Sequence, residues 1–173
     1  MTAPCHDPDM TRRATVNLEE AMKHLGYELW MLAETSRRIR AAQRDADAVA
    51  TNAYLESMLF HARALSDFFV HTERGFPSDI RRTDFGNVDW QPGPADAVAR
   101  IRSNAPVIDK RLAHLTWERV SGEPHEWRYA EVAADLVAVA DDWSEHLATQ
   151  VPALYPTFRE YLVQAREALS AGP

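Results

Sequence analysis

The chain has 173 residues, of which 46% are hydrophobic and 26% charged. These are ordinary globular values, with room for one sizeable core and not comfortably for two. A formal net charge of −7 opposes non-specific attraction to nucleic acid and to anionic lipid, and the single cysteine, Cys5, excludes an intramolecular disulfide and a cysteine metal site.

Only six glycines are present, so turns are few and elements long, which favours helices. Residues 1–15, with Pro4 and Pro8, read as a flexible leader, and 16–170 as one all-α domain. The expected architecture is a bundle of four to five main helices with a long packed loop between the second and third. The leader has no apolar segment of the signal-peptide kind, and no stretch approaches the roughly 20 apolar residues that span a bilayer. A cytoplasmic protein with no membrane contact is the expectation.

Asn17 reads as the cap of the first helix, with Glu19 and Glu20 complementing the helix dipole in its first turn. Leu18, Met22, Leu25, Leu29, Leu32 and Ile39 recur at three- and four-residue steps, and the pattern fades between Gln43 and Ala48. The second helix spans about Ala50 to Glu73, with Tyr54, Leu55, Met58, Leu59, Ala62, Leu65 and Phe69 on one stripe. Phe60, Ala64 and Phe68 lie off it, so the apolar surface covers well over half the circumference, as expected of a central helix.

Gly75 and Pro77 stop that helix. Roughly twenty residues without helical period follow, and Phe76, Phe85 and Trp90 argue that this loop packs onto the bundle. Ala95 to Ala105 forms a helix that either ends at Pro106 or continues through a kink towards Val120. Tyr129 to Gln150 is a further helix, with Val132, Leu136, Val139, Trp143 and Leu147 on one face. Pro152 and Pro156 break the chain before a last helix over Phe158 to Leu169.

No glycine-rich phosphate loop, dinucleotide fingerprint, Glu-x-x-His pair or His-Glu-x-x-His motif is present, so the motifs point to no cofactor and no metal. The polar residues that bear on function lie in two segments, NAYLESMLFHARALSDFF from Asn52 and DKRLAHLTWERV from Asp109. Arg63 and Asp67 are spaced for a surface ion pair, with Glu56 further back on the same flank. His61 sits at the edge of the apolar stripe, either as a satisfied core histidine or as a titrating group at a cleft. In the second segment Lys110, Arg111, His114 and Glu118 share one flank. Arg119 falls on the apolar stripe of Ile108, Leu112 and Leu115 and must snorkel or find a carboxylate, for which Glu56, Asp67 and Glu73 of the second helix are candidates.

The two phrases, in which Asn52, Leu55, Glu56, His61, Ala62, Arg63, Leu65, Asp67, Phe68 and Phe69 precede Lys110, Leu112, His114, Thr116 and Arg119, resemble a group of uncharacterised bacterial all-helical proteins. That resemblance implies a helical fold. A more distant one is to HEPN-like bundles, many of them metal-independent ribonucleases or toxin components, whose signature is an Arg followed four to six residues later by a His. Arg119 and His125 have that spacing, with Gly122 and Pro124 between them. What this second resemblance implies is a site of His61, Arg63, His114 and Arg119, in which a histidine moves the proton of a ribose 2′-hydroxyl and arginines hold the phosphate.

Three functions are therefore expected, in order. The first is an interaction or accessory module, as a homodimer or with a protein partner. The second is a HEPN-like ribonuclease acting on RNA, and the third a bundle binding a metal or small ligand under the Phe76 to Trp90 loop.

Overall fold

The structure, a computed structural model, describes residues 8–71, 79–86, 89–112 and 125–171, with side chains from Asn17 onward. The described residues form five α-helices: α1 Pro8–Arg44, α2 Ala48–Phe69, α3 Ala95–Leu112, α4 Tyr129–Gln150 and α5 Tyr155–Ser170. A single 3-10 turn, Arg82–Phe85, punctuates the connection between α2 and α3.

Several boundaries correct the sequence reading. α1 begins at Pro8, so Asn17 lies within the helix and caps nothing. α2 starts at Ala48 because the Asp47 carboxylate accepts from the Ala50 N–H at 2.9 Å, the usual capping arrangement. α2 closes at Phe69, before Gly75 and Pro77, with the N–H groups of Val70 and His71 both on the Ser66 carbonyl. α3 runs through Pro106. That residue is exposed, so the hydrogen bond it cannot donate is lost on the outer side of the helix, where water can serve the orphaned carbonyl. Residues 113–124, where a continuation to Val120 was expected, lie outside the described residues.

α1 and α2 form an antiparallel hairpin joined by three residues and make the most extensive contact together with α1 and α5. The α1 residues Met22, Leu25, Leu29, Leu32 and Ile39 are buried, as are Met58, Leu59, Ala62, Leu65 and Phe69 of α2. α4 contributes Val132, Leu136, Val139, Trp143 and Leu147, and α5 Phe158, Leu162 and Ala165. α3 lies against α2 and α4. There the guanidinium of Arg100 grips the buried carboxylate of Asp135 through two hydrogen bonds of 2.9 and 2.7 Å. Those bonds to Asp135 raise the pKa of Arg100 above its ordinary value.

The deepest point of the core is an aromatic cluster. Trp143 is fully buried, with Phe68 and Phe69 of α2, Phe85 of the 3-10 turn and Phe158 of α5 all edge-on at centroid distances between 4.9 and 5.9 Å. The described part of the loop after α2 is thus packed down, as expected. Trp90, also buried, donates Nε1–H to Asp142 of α4 at 2.9 Å. Arg82 stacks over the Trp90 ring at 5.2 Å and donates to the Trp90 carbonyl at 2.8 Å, and burial pushes its pKa down. Gly86 closes the 3-10 turn at φ 75°, a left-handed conformation that favours glycine. Phe76 lies outside the described residues.

On the far side, α1 and α5 approach so closely that a Cβ at Gly26 would overlap ring atoms Cγ, Cδ2 and Cε2 of Tyr161. Alanine there would gain up to about 1 kcal/mol of helix propensity, against about 1–3 kcal/mol for overpacking. Gly26→Ala is accordingly expected to lower Tm by several degrees in thermal denaturation. In a Tyr161→Ala background the same substitution should raise it.

Candidate functional site

α2 carries a polar set on each side of its core stripe, and the two sets meet different neighbours. His61 turns towards α1. It is 8% exposed, and its Nδ1 lies 2.6 Å from Oε2 of Glu28. A carboxylate oxygen only accepts, so Nδ1 carries the proton and Nε2 is left as the basic nitrogen of the neutral ring. Nε2 has no hydrogen-bond partner among the described residues and is not among their sealed polar atoms. The imidazole sits between two ring edges, Tyr27 at 6.1 Å and 83° and Phe60 at 5.9 Å and 86°. Tyr27 also touches Trp30, at 6.1 Å. The Tyr27 and Phe60 side chains are themselves 44% and 61% exposed.

Charges around this aromatic patch are already matched. On α1, Glu34 accepts from Arg37 at 2.7 and 2.9 Å and from Arg38 at 2.7 Å. Arg37 first, and then Arg38, hold its carboxyl below the usual range against the opposing effect of burial. Lys23 pairs with Glu20 at 2.9 Å. The patch is therefore an apolar surface with an oriented imidazole beneath it and a locally neutral rim.

Arg63 faces the other way. Its Nε lies 2.9 Å from Oδ1 of Asp109 on α3, not on Asp67 as the spacing within α2 suggested. The pair joins two helices, and it is half open to solvent, so its contribution to stability is small. His61 and Arg63 are thus held by different helices and do not share a site within the monomer. His114, Glu118 and Arg119 lie outside the described residues. His125, the histidine of the Arg–His spacing, is exposed and lies edge-on to Trp127 at 4.5 Å.

For a metal, the described residues offer no group of three or more His, Cys, Asp or Glu. Under the described part of the loop, where a ligand was considered, Phe85 and Trp90 pack into the core, and a cavity of about 540 Å³ lies between the first half of α1 and the loop residues Ile80 and Asp84. Among the described residues no helix is long and apolar enough to cross a membrane.

Glu28 and Tyr27 are the participants that sequence reasoning missed. Glu28 stands three residues after Leu25 and four before Leu32, within the spacing of the buried stripe of α1. A carboxylate at such a position needs a donor from a neighbouring element, and that requirement was the available signal. Comparison with protein-family models, curated proteins and solved structures finds no significant match to this chain.

The Glu28 contact makes a spectroscopic prediction. At a pH where His61 is neutral, long-range proton–nitrogen correlation spectra should show the Nδ1–H tautomer, and Glu28→Ala should release the ring to the Nε2–H form. An Nε2–H ring in the wild type would mean that Glu28 does not set the imidazole.

Proposed function

We propose that this chain is an interaction module that pairs with a second copy of itself through the α1–α2 face. The observation that carries this reading is the aromatic patch: Phe60 is 61% exposed and Tyr27 44% exposed, each ring edge-on to the buried His61. Large exposed rings grouped together mark contact surfaces, whereas single exposed apolar residues need no explanation. Ala53 and Ala64, also exposed on α2, leave room beside Phe60 for a partner helix.

The choice of a second copy follows from charge. An acidic chain repels itself at long range, but here the nearby acids Glu20 and Glu34 are matched by Lys23, Arg37 and Arg38, so the patch presents no single-signed field. An isologous contact places each patch on its twin, and two antiparallel hairpins then stack as four helices.

Burying a phenylalanine is worth about 1.5–3 kcal/mol, and an isologous interface counts each contact twice. Phe60→Glu should therefore weaken self-association at least ~100-fold, converting a dimer to a monomer in sedimentation equilibrium while leaving Tm nearly unchanged. A wild type that stays monomeric at high protein concentration would sink the reading, as would a Phe60→Glu dimer as tight as the wild type.

A second reading, a metal-independent ribonuclease of the HEPN-like kind, draws support from one observation, the carboxylate-oriented imidazole whose basic Nε2 is not fully sealed. Such a nitrogen suits proton transfer from a 2′-hydroxyl. If it does so, cleavage of single-stranded RNA in the presence of EDTA should fall by roughly 10²–10⁴ in His61→Gln. Wild-type protein without cleavage under those conditions would dispose of it.

A further inference from the structure

A separate feature lies on the opposite flank of α2. Between the first half of α2, the end of α3 and Trp127 is a cavity of about 400 Å³, inside the range of roughly 300–1,000 Å³ common to small-molecule sites. Its described lining divides by chemistry. Leu55, Leu59 and Leu112 make an apolar floor with the Trp127 indole beside it, while Asn52, Glu56 and Arg111 supply the polar groups.

Asn52 and Glu56 are one helical turn apart, so both side chains project from the same flank of α2. Among the described residues, neither side chain has a hydrogen bond or ion pair, and no ion pair joins Glu56 to Arg111 although the two carry opposite charge and line one cavity. Glu56 thus offers the cavity an acceptor, and Arg111, which has a contact of its own elsewhere, offers it a guanidinium donor. The cavity therefore suits a molecule that is itself dipolar, with a cationic end for the carboxylate, an anionic end for the guanidinium and an apolar body for the leucines and indole. A guanidinium carries five N–H donors in a fixed fork, so Arg111 can serve a ligand carboxylate while holding a protein partner.

We infer that this cavity binds a small zwitterion with an apolar body, of which free apolar α-amino acids are the chemical class. Glu56 and the Asn52 carbonyl receive the ammonium, Arg111 takes the carboxylate, and the side chain lies on Leu55, Leu59 and Leu112 against Trp127. The cavity opens on the α3 side of α2, although its rim residue Glu56 lies one turn from Phe60 of the aromatic patch.

The test is calorimetric titration of the full chain with L-leucine and L-phenylalanine, alongside leucinamide, which lacks the carboxylate, and 4-methylpentanoate, which lacks the ammonium. One or both amino acids should bind, and each truncated analogue should bind at least ~10-fold more weakly, the scale of a lost charge-assisted hydrogen bond. Glu56→Gln should weaken leucine and leucinamide and leave 4-methylpentanoate nearly unchanged. Arg111→Gln should weaken leucine and 4-methylpentanoate and spare leucinamide. Circular dichroism melting of both variants checks that the fold is intact; where Arg111→Gln does not fold, the Glu56→Gln comparison alone decides, because that side chain is exposed. No binding by either amino acid overturns the inference, as does binding that Glu56→Gln leaves unchanged.

Discussion

The edge-to-face cluster around Trp143 is the point at which otherwise separate pieces of chain are made to meet. α2 contributes Phe68 and Phe69, the loop Phe85, α4 Trp143 and α5 Phe158. Large rings supply much of the buried area per residue, and their quadrupoles favour this edge-on geometry over a face-to-face sandwich. The indole N–H of Trp143 is buried without a hydrogen-bond partner among the described residues. Leaving such a donor unsatisfied costs about 1–3 kcal/mol, partly offset by the ring faces around it. The cluster is therefore held by area and shape rather than by polar contacts, and it fixes the rotation of α2 about its own axis.

That rotation decides what α2 can present elsewhere. With Phe69 and Leu65 directed inward, His61 falls on the α1 side and Arg63 on the α3 side, about 160° apart around the helix at 3.6 residues per turn. Glu28 and Asp109 then capture them separately. Phe60 lies between these two flanks, where no described element covers it. The exposed ring is thus a consequence of burying the inner stripe, and the adjacent buried imidazole is tolerated because a carboxylate accepts its proton.

The helices, their order and most core positions were legible because they depend on local period and punctuation. The stripes of α1 and α4 and the inner stripe of α2 were read correctly from spacing, whereas Phe60 and Ala64, read as part of the apolar surface of a central helix, are exposed; α4 spans Tyr129–Gln150 as the sequence implied. Long-range pairing was not legible. Arg63 looked matched to Asp67 because positions four apart on one helix are the only partners a single sequence offers, yet its partner is 46 residues away on α3. Glu28 and His61 are 33 residues apart, and nothing local links them beyond an acid on an apolar stripe. The start of α1 failed for a related reason: Asn17 has the chemistry of a cap, but capping residues also occur inside long helices when tertiary contacts or neighbouring propensity carry the helix past them.

α2 is therefore best regarded as a helix with three uses set by one register. Its inner stripe builds the core, its α1 side and outer face form the aromatic patch, and Asn52, Leu55, Glu56 and Leu59 on its α3 side wall the cavity. Asn52, Glu56 and Phe60 follow one another at four-residue steps, so the cavity rim and the patch adjoin along a continuous ridge. A rotation of α2 large enough to alter one surface would disturb the other and would also pull Phe68 and Phe69 from Trp143. Packed cores resist such continuous deformation. The aromatic cluster accordingly keeps both surfaces in fixed relation, and any coupling between them must run through side chains on that ridge rather than through movement of the helix.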